Sequence, residues 1–177
     1  MTKLAALERH GALTEPATLT IQRLLPGPVE RVWAYLTDSD LRRQWFAAGA
    51  MEPTMGASVE LVWRNDELTD PPGARPEGSS QEHRMTVRVT EADPPRHLAI
   101  TWGESGAVSF DLEPQGSEVL LTLVHRRLPE RPVRLNVASG WHAHLDILEA
   151  KMRGQRPEPF WDSVARLKAD YDRRLPA

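Results

Sequence analysis

The sequence predicts an α+β fold in which a curved antiparallel sheet is covered by one long helix. Three observations carry this expectation. Period-two apolar patterns recur at short spacing through the second half of the chain. About 22 residues between Pro132 and Gly154 keep an apolar stripe at helical spacing, enough for roughly 33 Å of helix. Two short amphipathic segments interrupt the strands early, just after the first of them.

Taken in order, TLTIQRLL (18–25) sets Leu19, Ile21 and Arg23 against Thr20, Gln22 and Leu24, the alternation of a strand. Pro26-Gly27-Pro28 ends it, and Pro28 suits the first position of a helix because its missing N–H is not needed there. In PVERVWAYLTD, Val29, Val32, Trp33 and Leu36 fall on one helical face. Asp38 is the expected N-cap of a second short helix carrying Leu41 and Trp45. SVELVWR (58–64) alternates Val59, Leu61 and Trp63 to one side. The run 65–82, rich in Pro, Gly, Ser and acids, reads as a flexible loop.

Four strand-like runs follow. HRMTVRVTEA puts His83, Met85, Val87 and Val89 on one face, and HLAITW puts Leu98, Ile100 and Trp102 together. AVSFDLE aligns Val108, Phe110 and Leu112, and EVLLTLVHR aligns Val119, Leu121, Leu123 and His125. Such short spacing implies an antiparallel meander. The helix over 132–153 carries Val137, Trp141, Leu145, Leu148 and Met152 along one stripe, and a tail helix over 158–175 carries Phe160, Val164, Leu167, Tyr171 and Leu175. The whole chain, 1–177, reads as a single domain, with 1–16 a leader that includes an optional extra strand.

Composition excludes several functions. A net charge of −3 gives no basic surface for nucleic acid. No apolar run approaches the roughly 20 residues that span a bilayer, so no membrane partner is expected. The start, MTKLAALERHGALTEP, lacks an apolar core and a cleavage site, and the chain has no cysteine, so cytoplasm is the expected compartment. Without cysteine there are no disulfides, thiolate nucleophiles or thiolate metal sites. Glycine-rich phosphate loops, the G-x-S-x-G elbow and H-E-x-x-H are missing too, and Ser109 and Ser139 lack a base partner.

At TIQRLLPGPVERVWAYLTDSDLRRQWF the chain resembles the opening of the START-like, helix-grip superfamily. More closely, it resembles bacterial single-domain proteins related to the C-terminal domain of activators of the ninety-kilodalton heat-shock chaperone ATPase. Arg23, the Pro28–Trp33 helix start, Leu36-Thr37-Asp38 and Trp45 carry the likeness. DPPRHLAITWG (93–103), LTLVHRRL (121–128), GWHAHLDILEAKMRG (140–154) and the leader LERHGALTEPATL extend it across about residues 7–172. The resemblance implies a helix-grip fold, in which a sheet wraps the long C-terminal helix and leaves a cavity between them. Function does not follow from that fold, which hosts unrelated activities.

On that implication, Leu61, Trp63, Met85, Trp102, Phe110, Leu123, Trp141, Leu145 and Leu148 are expected to bound a pocket together with Val59. Met51 and Met55 are placed near its entrance, where a flexible thioether adapts to varied apolar shapes. For any one of these residues plain core packing is the competing reading. The polar candidates are Arg23, His83 and His125. His125 lies in phase with Leu121 and Leu123, although a structural hydrogen bond is favoured there over catalysis, as a salt bridge is for Arg23. His142 and His144 point about 200° apart on a helix and cannot share a metal. His142 is expected half-buried, bonded to a neighbour or to Asp146, and His144 exposed. Gly140 is expected at a close approach to a neighbouring element. No catalytic residue, metal or cofactor is assigned.

The function expected is the binding of a small apolar or amphipathic molecule, with a homodimer as the oligomeric state carried forward. The resemblance implies two alternatives: an enzyme of cyclase or hydrolase type using polar groups in the cavity, and, ranked lower, a co-chaperone stimulating the chaperone ATPase.

Overall fold

The computed structural model describes residues 7–15 and 17–176, so residues 1–6 and 16 of the expected leader lie outside it. The elements in chain order are β1 (Ala12–Glu15), β2 (Thr18–Pro26), α1 (Val29–Thr37), α2 (Ser39–Arg42), β3 (Ser58–Trp63), β4 (His83–Asp93), β5 (His97–Trp102), β6 (Gly106–Gln115), β7 (Glu118–Arg126), α3 (Arg131–Met152) and α4 (Phe160–Arg174). The strands form one antiparallel sheet in the order β1-β2-β7-β6-β5-β4-β3. The predicted α+β architecture, with its curved sheet and long C-terminal helix, is the observed one.

The meander β3 to β7 is built from consecutive neighbours, and β2 returns to pair with β7, placing Leu19 opposite His125 and Ile21 opposite Leu123. Alternation along β2 and β7 sends Leu19, Ile21, Arg23, Leu25, Val119, Leu121, Leu123 and His125 into the interior. A register shift in β4 between Val89 and Glu91 bends that strand.

The turn after β2 is organised by two residues. Asp38 Oδ1 accepts from the backbone N–H groups of Asp40 (2.9 Å) and Leu41 (3.2 Å), the expected cap. Pro28 sits one position earlier than expected, as the residue before Val29 opens α1. Arg42 is buried and donates to the carbonyls of Ala47 (3.0 Å), Leu36 (3.2 Å), Thr37 (3.3 Å) and Gly49. Burial pushes its pKa down to about 10, so it stays charged at neutral pH, where five donors can saturate a cluster of carbonyls. This template fixes residues 45–49, and an isolated bridge ties Ala48 to Val62 of β3. Trp45 and Phe46 are thereby held inside.

α3 is buried on two sides, by the sheet and by α4, and this overturns one expectation. His144, expected exposed, is only 6% exposed. Its Nδ1 lies 2.8 Å from the carbonyl oxygen of Trp45 and its ring is 4.9 Å from that of Phe160 in α4. The helix period distinguishes an apolar stripe from a polar face, but it does not reveal that a second helix folds back over the polar face.

That second face holds a polar network. Asp146 accepts from Arg23 (3.0 Å) and Arg9 (2.7 Å), and its other oxygen lies 3.3 Å from Nε2 of His142. Nδ1 of His142 is 2.9 Å from the Tyr171 hydroxyl, which accepts the backbone N–H of Gly11 at 2.7 Å. Arg23 is 1% exposed and also donates to the carbonyl of Arg9 at 2.6 Å, the salt-bridge reading favoured for it. Burial alone would raise the Asp146 pKa; the His142 hydrogen bond and the Arg23 charge outweigh it and hold the carboxyl at about 2. Asp146→Ala would leave the Arg23 guanidinium buried and unpaired. We expect a loss of about 3–5 kcal/mol in urea unfolding; a loss under about 1 kcal/mol, the range of a surface pair, would show the network to be incidental.

The segment 65–82, read as a flexible loop, has a packed first half. Asn65–Glu67 form a 3-10 turn, and Leu68 and Thr69 are buried. The Thr69 hydroxyl accepts the backbone N–H of Phe160 (2.9 Å), Pro72 O accepts that of Trp161 (3.0 Å), and Trp161 Nε1 donates to Asp66 Oδ1 (2.7 Å). The start of α4 thus anchors the segment that leaves β3.

Candidate functional site

A cavity of about 510 Å³ lies between the β3–β4–β5 end of the sheet and the N-terminal half of α3. Its size is ordinary for a small-molecule site. Trp63 of β3, Met85 of β4 and Trp102 of β5 come from the sheet, because inward positions of neighbouring antiparallel strands meet on one face. Asn136, Val137, Gly140, Trp141 and His144 come from α3, at the spacing of one helical face. Phe46 is delivered by the Arg42 turn, Asn65 by the 3-10 turn and Trp161 by α4. The exposed Ser79, Ser80 and His83 form the rim.

The floor is aromatic. Phe46 stacks on Trp141 (centroids 4.8 Å, 24°) and lies 6.2 Å from Trp102 at 25°, while Trp63 meets Phe46 edge-on at 5.1 Å. Trp102 and Trp141 are 5.4 Å apart. Trp141 is aimed by its indole N–H, which donates to His125 Nδ1 at 3.0 Å. An indole N–H can only donate, so Nδ1 of His125 is the bare nitrogen. Burial pushes both His125 and His144 down to about 4, so both rings are neutral at pH 7. A base with so low a pKa is a weak proton acceptor at neutral pH; the arrangement suits orientation and binding.

Gly140 corrects a second expectation. A Cβ there would meet no atom within 4 Å beyond its chain neighbours and its own helix backbone. The glycine does not permit a close approach; it leaves wall space open, and α3 runs through it unbroken.

Of the residues expected to bound a pocket, Trp63, His83, Met85, Trp102 and Trp141 come together here. Val59, Leu123, Leu145 and Leu148 are buried in the core between sheet and helix. Met51, Leu61 and Phe110 border a separate space of only about 10 Å³, too small for a ligand. Met55 is 78% exposed and away from the cavity. His125 stands behind Trp141 and Trp102, with its ring 5.3 Å from that of Trp102. Arg23 lies in the Asp146 network. Phe46, Asn65, Ser79, Ser80, Asn136, Val137, Gly140, His144 and Trp161 line the cavity without having been singled out for it. Among these, Phe46 beside Trp45, Val137 on the helical stripe and the lone Gly140 in a helix gave a local signal. No cluster of metal-binding side chains occurs among the described residues. No helix of theirs is long and apolar enough to cross a membrane.

The sequence model of the activator of Hsp90 ATPase homolog 1-like proteins matches residues 26–153, from the end of β2 to the end of α3. The chain belongs to this family. A protein of Bordetella parapertussis solved by NMR is 38% identical, with 100% of this chain and 97% of that one covered and a TM-score of 0.80. CalU16 of Micromonospora echinospora is 22% identical over 88% of this chain and 86% of its own, with a TM-score of 0.64. DynU16, from the dynemicin biosynthetic locus, is 20% identical over 81% of this chain and 49% of its own, with a TM-score of 0.62. The latter two show the shared fold alone. No curated protein matches the chain significantly. The region matched by the Hsp90 ATPase activator homolog family spans most of the sheet and the gripped helix, and all but Trp161 of the cavity lining lies within it.

Proposed function

We propose that this protein binds a small apolar or amphipathic molecule in the cavity between the sheet and α3. The observation that carries the reading is the open, aromatic-floored space of about 510 Å³, kept free on the helix side by Gly140. A glycine within a helix costs about 1 kcal/mol relative to alanine, and here no packing contact offsets it. The origin of DynU16 in a biosynthetic locus fits a small-molecule role for the fold. With no cysteine in the chain, the reading assumes the cytoplasm.

Gly140→Leu tests it. The Cβ of a leucine here points into open space and the residue improves helix propensity by about 1 kcal/mol, so the variant is expected to fold at least as stably as the parent. Nile red should bind the parent saturably at one-to-one stoichiometry, with altered tryptophan fluorescence from Trp102 and Trp141, and the variant should not bind it. Equal binding by both proteins, or none by the parent, would remove the cavity as the site.

A further inference from the structure

Resting on the binding role proposed above, we infer that the ligand is an uncharged, planar aromatic molecule carrying a hydroxyl or N–H group that donates to Nε2 of His144. The tautomer follows from geometry. Nδ1 of His144 lies 2.8 Å from the Trp45 carbonyl oxygen, which can only accept, so Nδ1 carries the hydrogen. In the neutral ring Nε2 is then a bare acceptor, and among the described residues no donor is paired with it. The imidazole is 6% exposed, lines the cavity and is held edge-on to Phe46 at 5.1 Å, so its orientation is fixed and Nε2 takes its partner from what the cavity holds, water or ligand. A second acceptor in the cavity lining, Oδ1 of Asn65 from the 3-10 turn, is buried without a partner. A ligand that fills the cavity displaces water from such an acceptor, and leaving it without a donor is unfavourable, so the site rewards a ligand that brings one.

Charge and shape narrow the class further. No acid, lysine or arginine lines the cavity, so neither an anion nor a cation would find a counter-charge after losing water. Phe46 lies within 25° of the planes of both Trp102 and Trp141, which are themselves tilted 49° apart, so the floor offers ring faces and edges that suit an aromatic guest.

Calorimetric titration with 2-naphthol, 2-methoxynaphthalene and 2-naphthoate tests the inference. We expect 2-naphthol to bind about fivefold or more tightly than the methyl ether, which keeps the rings and loses the donor, and 2-naphthoate to bind weakest. His144→Phe should bind both neutral compounds with the preference erased. Should that variant fail to fold, nitrogen NMR of histidine-labelled parent protein decides: the His144 Nε2 resonance should shift on adding 2-naphthol and stay put with the ether. Equal affinities for the neutral pair, an unmoved Nε2 resonance, or tightest binding of 2-naphthoate overturns this inference while leaving a binding role intact. Failure of all three compounds, together with Nile red, to bind would remove the binding role itself.

Discussion

Stability is expected to fall steeply between pH 6.5 and 4, and the cause is imidazole burial. His125 and His144 are depressed to about 4 in the folded protein by desolvation, and burial also lowers His142 against the pull of Asp146. A depressed group stabilises the fold fully above its unfolded pKa, near 6.5. Below that, the unfolded chain takes up protons that the folded one refuses, and stability is lost until the folded pKa is passed. For His125 and His144 the loss by pH 4 is about 3 kcal/mol each, a large part of a typical domain's total. His97 works in the opposite sense. Burial lowers it, but hydrogen bonds to Asp111 and Glu91 outweigh that and raise its pKa. Its contribution is present below 6.5 and fades as pH rises through the raised value, and its partly exposed position keeps the term small. Asp146, at about 2, changes only below pH 4 and leaves this window clean. Urea unfolding at pH 7, 6 and 5 measures the slope directly. His125→Gln, whose carbonyl can still accept from Trp141, should flatten the slope by about one proton. A stability independent of pH over this range would show that the buried imidazoles titrate normally.

The other large effect separates wall from core. Leu145→Ala should cost about 2–5 kcal/mol, because Leu145 is fully buried between sheet and helix and does not border the cavity. Nile red affinity should be unchanged. Trp141→Ala should cost about 3–5 kcal/mol through lost packing. It also strips His125 Nδ1 of its donor and removes the cavity floor, so dye binding should fail as well. Denaturation and dye titration of both variants read the contrast. If Leu145→Ala altered dye affinity as strongly as Trp141→Ala, the division between core and wall would be misplaced.

Strand and helix positions were legible because period-two and helical patterns survive in an uninterrupted stretch of chain. The sequence also exposed local chemistry, as with Asp38 capping α2 and Arg23 on the inward phase of β2. Three of the four large sheet and helix rings of the cavity, Trp63, Trp102 and Trp141, were likewise readable from alternation and stripe. The rest depended on pairings remote in sequence. His144 looks like a wet polar residue until the Trp45 carbonyl, 99 residues away, is brought against it. His142 is likewise satisfied by Tyr171, from α4. Phe46 reaches the floor only because Arg42 gathers four carbonyls into a tight turn. Leu145 and Leu148 share the apolar stripe with Trp141, and periodicity cannot tell which end of a stripe faces filled space and which faces a void.

The double covering of α3 also bears on how molecules would be exchanged. A rod clamped along two flanks, by β2 on one side and α4 on the other, has no free direction in which to swing. The Asp146 and Tyr171 contacts pin it to both neighbours and to the chain around Gly11. Any widening of the aromatic chamber therefore falls to the opposite bank: the edge strand β3, its partner β4, and the stretch between them that bears Ser79 and Ser80. For the binding role proposed above, entry and exit are therefore expected at that edge of the sheet, with the gripped helix as its fixed abutment.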